Sequence, residues 1–220
     1  MTSQNDVERS IVTSATAIGH DATGEQPPRT HPGSPPAPPS HPGSRLAPLS
    51  HRLATERDLA ALVRLRDDAA RWQLANGIDQ WRPGDLTEDH FRARLADAEV
   101  RLATLGPDGP VVGAFELWWD DVVTWGPQPP VAGYVHRLMT DRRTAPPGTG
   151  RRLLAEAERR ITAAGRRLCR LDCRADNHQL RRYYESAGYL VVGEQSFTDR
   201  PTHGAGGSNY PVTLLEKTLR

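Results

Sequence analysis

Apolar positions recur along this chain with two periods, and the alternation between them outlines the elements. Leu59, Leu62, Val63, Ala69 and Ala70 share one broad face at helical spacing, behind the capping signal Thr55-x-x-Asp58, and Asn76-Gly77 ends that run. Asp85-x-x-Glu88 opens a second helix with Leu86, His90, Phe91 and Leu95 inward, ending near Ala98. The period then shortens. Val100 to Thr104 and Val111 to Trp119 read as a hairpin around Gly106-Pro107-Asp108-Gly109, and Val131 to Thr140 as a further apolar strand. Arg151 to Ala164 is amphipathic, with Leu154, Ala157, Ile161 and Ala164 opposed by Arg152, Arg159 and Arg160, and Gly165 caps it. Arg167 to Cys173 is a strand, Gln179 to Ala187 a short helix stopped by Gly188, and Tyr189 to Phe197 and Val212 to Leu219 two closing strands. With a first strand at His51 to Ala54, this order predicts one α/β domain over 47–220, its mixed, mostly antiparallel twisted sheet flanked by about four helices.

Residues 1–46 break the pattern. Nine of the 19 prolines fall between Pro27 and Pro48, and HPGS occurs twice. Such a segment lacks apolar side chains to bury and N–H groups to pair, so a disordered proline-rich tail is expected. The loop 202–209, with Gly204, Gly206 and Gly207, is expected to be mobile. In the whole chain, 37% of residues are hydrophobic and 25% charged, with a net charge of +1. That balance gives no bulk field for nucleic acid or an anionic membrane. No stretch approaches the roughly 18 apolar residues of a membrane span, and no secretory leader is visible, so a cytoplasmic protein is expected. Cys169 and Cys173 are the only cysteines; they share one strand face as small hydrophobes, and no metal site is expected.

The candidate chemistry begins at Gly148-Thr149-Gly150, between an apolar strand and an amphipathic helix. Free backbone N–H groups and the helix dipole there favour an anion, with Arg143, Arg151 and Arg152 nearby to add charge. No GK[ST] follows, which excludes a Walker loop, and Leu153 fills the third glycine position of a dinucleotide fingerprint.

After the next strand, Asn177 and Tyr184 stand seven residues apart in Asn177-His178-Gln179-Leu180-Arg181-Arg182-Tyr183-Tyr184-Glu185-Ser186-Ala187-Gly188-Tyr189. Together with the glycine turn, this segment resembles the GCN5-related N-acetyltransferases, whose motifs read Arg/Gln-x-x-Gly-x-Gly/Ala and N-x(6)-Y-E-x-x-G-[FY]. The resemblance covers roughly residues 50 to 220. It departs at Ala145, where the family carries Arg or Gln; Arg142 and Arg143 lie two or three residues upstream. The resemblance implies acetyl-CoA as cosubstrate, its pyrophosphate on Gly148, Thr149 and Gly150 with Arg143 and Arg151. Its pantetheine would pair with backbone groups of Leu138, Met139 and Thr140 and meet Asn177, and Tyr184 would protonate the leaving thiolate. It implies direct transfer of acetyl to a primary amine, small molecule or peptide; the alternative is a CoA-binding module without catalysis.

For the base that deprotonates the incoming amine, two residues are candidates. His136 shares strand parity with Leu138 and Thr140 on an unbroken strand, and Glu116 sits among apolar neighbours where its carboxyl pKa would rise. Trp72, Trp81, Trp118, Trp119 and Trp125 are expected mainly in the core, with an acceptor pocket as the other reading. An exposed closing strand would allow a homodimer.

Overall fold

A computed structural model describes residues 48–196 and 210–220. The expected tail at 1–46 and the expected loop at 202–209 lie outside the described residues. The elements are β1 (Leu49–Leu53), α1 (Leu59–Ala75), α2 (Glu88–Asp97), β2 (Glu99–Leu105), β3 (Val111–Trp118), α3 (Val122–Trp125), β4 (Ala132–Thr140), α4 (Thr149–Ala163), β5 (Leu168–Arg174), α5 (His178–Glu185), β6 (Leu190–Gln195) and β7 (Val212–Thr218). The strands form one sheet in the order β1-β2-β3-β4-β5-β7-β6. Every neighbouring pair is antiparallel except β4–β5, which makes the sheet mixed and mostly antiparallel, as the sequence implies.

Local chemistry accounts for the boundaries. Thr55 and Asp58 form the expected capping box: Asp58 accepts from the Thr55 N–H at 2.8 Å, and Arg52 of β1 clamps the same carboxylate at 2.7 and 2.8 Å. The second helix is capped two residues later than expected. Thr87 accepts from the His90 N–H, while Asp85 folds back onto the Arg82 N–H. The four-residue α3 was not expected, since Val122, Val123 and Trp125 favour strands; Asp121 imposes the turn by accepting from the Thr124 N–H at 3.0 Å.

Helices cover both sheet faces. α4 and α5 seal one with Leu153, Leu154, Ala157, Ile161, Leu180 and Tyr184, against Phe115, Leu117, Val135, Leu138, Cys169 and Cys173. α1 and α2 seal the other through Leu59, Leu62, Leu65 and Phe91, against Leu102, Ala114 and Met139. Two glycines seat α4. A Cβ on Gly133 would lie 2.5 Å from Ile161 Cγ1, and one on Gly113 would lie 2.8 Å from Leu153 Cδ1, so only hydrogen at these positions lets the helix approach this closely.

Candidate active site

β4 and β5 run side by side only briefly. Their pairing covers Ala132↔Leu168, Gly133↔Cys169 and Tyr134↔Arg170, yet β4 continues to Thr140 and β5 to Arg174. Beyond the last pair the strands part, and among the described residues the edge of β4 from 136 to 140 that faces β5 has no strand partner. Its other edge stays bonded to β3. A bulge accompanies the parting: Arg137 has φ +44°, and the β3–β4 register slips between Ala114 and Glu116. A non-glycine residue held in the left-handed region stores about 1 kcal/mol or more, a cost that clusters at functional sites.

The bulge corrects the parity expected for His136. Val135 and Leu138, three residues apart, both join the α4/α5 cluster, and Met139 joins the α1/α2 cluster. His136 therefore faces away from Leu138, toward Trp118, whose ring it meets edge-on at 6.2 Å. Leu138, Met139 and Thr140 nevertheless lie together on the unpartnered edge, where backbone rather than side-chain groups are on offer.

At the mouth of the parting stands the N-terminus of α4. Gly148 takes φ +81°, and the N–H groups of Gly148, Gly150 and Arg151 have no acceptor among the described residues. Thr149 contributes less than expected: its N–H and its hydroxyl both donate to the Pro146 carbonyl, at 3.2 and 2.7 Å. The two expected arginines also point elsewhere. Arg143 pairs with Asp68 of α1 at 2.8 Å, and Arg151 donates to the Tyr183 carbonyl at 2.9 Å and covers the Tyr183 ring. Arg142 has no carboxylate partner among the described residues; it stacks 3.7 Å over Trp72, and burial lowers its pKa to about 10.

Across the parting, Asn177 caps α5 by accepting from the Leu180 N–H at 3.0 Å. Tyr184, about two turns on from Asn177, is 2% exposed, and its hydroxyl has no hydrogen-bond partner among the described residues. Burial, then the nearby Cys173, Tyr183 and Asp172, hold its pKa well above 10, so it stays a phenol. Tyr183 turns to Arg151 instead, as expected for adjacent helical positions.

Glu116 reverses expectation. Burial pushes its carboxyl pKa up, but the Arg137 guanidinium, donating to both oxygens at 2.7 and 2.8 Å, overrides burial and holds it below the ordinary range. Trp118 adds a third hydrogen bond at 3.1 Å. A carboxylate so fully engaged is a poor proton acceptor. His136 is different: its Nε2 lies 3.4 Å from Asp121 Oδ2, and Asp172 of β5 brings a carboxylate oxygen within 4.8 Å of both. Asp121, from the connection after β3, and Asp172, from within β5, are distant from His136 in the chain and are brought to it only by the fold.

The tryptophans sit mostly in structural roles. Trp81 is buried at 3% exposure under Arg66, and Arg94, Arg142, Arg160 and Arg170 lie over Trp118, Trp72, Trp119 and Trp125. Among the described residues, no helix is long and apolar enough to cross a membrane.

Known proteins share this fold. The family model described as the acetyltransferase (GNAT) domain matches residues 71–202. YesJ of Bacillus subtilis (strain 168), described as an uncharacterized N-acetyltransferase, is 28% identical over 151 residues, 64% of this chain and 81% of its own. The fold matches an acetyltransferase of the GNAT family from Listeria monocytogenes 4b F2365 with a TM-score of 0.59 at 23% identity, covering 78% of this chain and 95% of that one. It also matches the PaiA N-acetyltransferase of Thermoplasma acidophilum, solved in complex with coenzyme A, with a TM-score of 0.56 at 20% identity over 78% and 99% of the two chains. YncA of Salmonella typhimurium, solved with its cofactor acetyl-CoA, gives 0.54 at 16% identity over 78% and 94%. The family match spans more than half the chain, and the parted strands, the glycine-led helix and the buried tyrosine agree with it: this chain belongs to the GNAT acetyltransferase family.

Proposed function

We propose that this chain transfers an acetyl group from acetyl-CoA directly to a primary amine, with Tyr184 as general acid and His136 as general base. The observation that carries the reading is the parting of β4 from β5 beyond Tyr134 and Arg170, which leaves one strand edge open between the two proton-handling side chains. Pantetheine amides would pair with the backbone of Leu138, Met139 and Thr140 as an added strand. The pyrophosphate would lie on the N–H groups of Gly148, Gly150 and Arg151, with Asn177 meeting the pantetheine. Arg142, which pairs with no carboxylate among the described residues, suits the phosphates better than Arg143, which is held by Asp68. CoA-bound relatives of the same fold support this placement.

The chemistry balances at these groups. His136 takes a proton from the ammonium, and the free amine attacks the thioester carbonyl, forming the C–N bond. Collapse of the tetrahedral intermediate breaks the C–S bond, and the thiolate receives the Tyr184 proton. The nitrogen's remaining excess proton returns to the phenolate, and His136 releases its proton to solvent. Holding Tyr184 above 10 keeps the donor loaded at neutral pH.

The test is release of CoA thiol from acetyl-CoA across a panel of amines, beside CoA binding by calorimetry. Tyr184→Phe should lower kcat by about 10² or more with CoA affinity retained. An unchanged rate would remove Tyr184 from the mechanism. CoA binding without turnover on any amine would instead identify a non-catalytic CoA-binding module.

A further inference from the structure

Asp121 sits in the turn between β3 and α3, and its two oxygens do different things. Oδ1 caps α3 through the Thr124 N–H at 3.0 Å, which fixes the carboxylate in place. Oδ2 is buried, accepts no hydrogen bond from the described residues, and lies 3.4 Å from His136 Nε2. The Asp121 side chain is 4% exposed and that of His136 7%. Among the described residues, His136 is the sole group placed to form an ion pair with Asp121, and it does so only when protonated. A buried carboxylate oxygen with no donor is costly, and an imidazolium N–H at that distance would satisfy it.

We infer that Asp121 is a positioning residue for His136: it holds the imidazole with Nε2 toward its carboxylate, leaving Nδ1 to accept the proton, and stabilises the imidazolium once the proton arrives. This rests on the reading of His136 as general base. The groups around the pair point the same way. From β5, Asp172 adds a second carboxylate within 4.8 Å. From β3, Glu116 is in register with His136, but its charge is taken up by Arg137 of β4. From α2, Arg94 lies over the Trp118 ring, and His90 is kept neutral, its pKa lowered to about 3 by burial and then by Arg137 and Arg94. His90 is thus no rival for the proton near neutral pH. Of the acids around His136, Asp121 is the one whose free oxygen faces the imidazole directly.

The test is a cycle of Asp121→Asn, His136→Gln and the double variant, in the full chain. Asparagine keeps the oxygen that caps α3, so the fold and CoA binding should persist. Asp121→Asn should lower kcat roughly 10- to 100-fold, within the range of general-base contributions, and move the acid limb of the kcat/KM profile to lower pH. In the His136→Gln background the same change should have no further effect. Equal losses in both backgrounds would assign Asp121 a merely structural role and overturn the inference. So would activity removed by a chelator and restored by zinc or magnesium. Titration of the His136 ring protons by NMR gives a readout independent of turnover: their midpoint should fall in Asp121→Asn, and an unmoved midpoint overturns the pairing even if no amine is acetylated.

Discussion

The two faces of the sheet are built on different principles. Under α4 and α5 the core is apolar and aromatic, and its fit depends on shape: Gly113 and Gly133 make room for α4, and Tyr184 and Tyr189 meet edge-on at 6.0 Å. Under α1 and α2 the apolar cluster is interleaved with charge. Arg66, Arg94, Glu116 and Arg137 are at most 5% exposed there. A shape-based face is rigid through close packing, whereas a charged face places groups that can exchange protons and attract a cation. The open edge of β4 lies where the two meet. The difference teaches that the faces should fail in different ways: one through volume, the other through unpaired charge.

The largest effect should come from separating the Glu116–Arg137 pair. Arg137→Met leaves a carboxylate that is 1% exposed with only the Trp118 N–H and the field of Arg94, and should cost about 3–5 kcal/mol in urea unfolding. Adding Glu116→Gln to that variant removes the stranded charge and should recover much of the loss. If the double variant is as unstable as the single, the face is held by packing after all.

How much of this was legible in the sequence follows the range of each interaction. Helix periods, the Thr55–Asp58 box, the glycine turn and the Asn177-to-Tyr184 spacing are local, and each appears where expected. The hairpin of β2 and β3 and the mixed sheet are also as expected, and what failed was side-chain placement set by the register between strands. A bulge at Arg137 carries no residue signal, because arginine rarely takes φ +44°, so counting parity from His136 to Leu138 went astray. Glu116 has apolar sequence neighbours, and only the β3–β4 register brings Arg137 to it. Asp121, His136 and Asp172 come from three separate segments. The same holds for Arg143 and Arg151, whose partners Asp68 and Tyr183 lie 75 and 32 residues away.

The shape-based face should break through volume, with a smaller effect. Gly133→Ala places a Cβ 2.5 and 2.8 Å from two Ile161 atoms and should cost about 2 kcal/mol, a typical overpacking loss. Ile161→Val alone should be mildly destabilising, yet combined with Gly133→Ala it should be less harmful than the sum, since it removes Cδ1. Strict additivity would mean that α4 does not bear on Gly133. The same substitutions should leave the pH dependence of stability unchanged, because no titrating group lies between this glycine and the helix.

The smallest effect isolates the charge on the other face. His90 titrates at about 3 in the folded chain against 6.5 when free, lowered by burial and then by Arg137 and Arg94. Below pH 6.5 the unfolded chain binds a proton there that the folded chain refuses, so stability falls with acidification and continues to fall until about pH 3. Between pH 7 and 5.5 this group should contribute a loss of about 1 kcal/mol. Carboxylates titrate too, so the informative quantity is the difference between wild type and His90→Gln, measured by urea unfolding at both pH values. Glutamine cannot take up the proton, and its stability should drop less by about that amount. If the two proteins lose stability in parallel, neither burial nor the positive field of Arg137 and Arg94 keeps a proton off His90 in the folded chain. The contrast between the faces would then reduce to which side chains are buried, with no consequence for where a proton can reside.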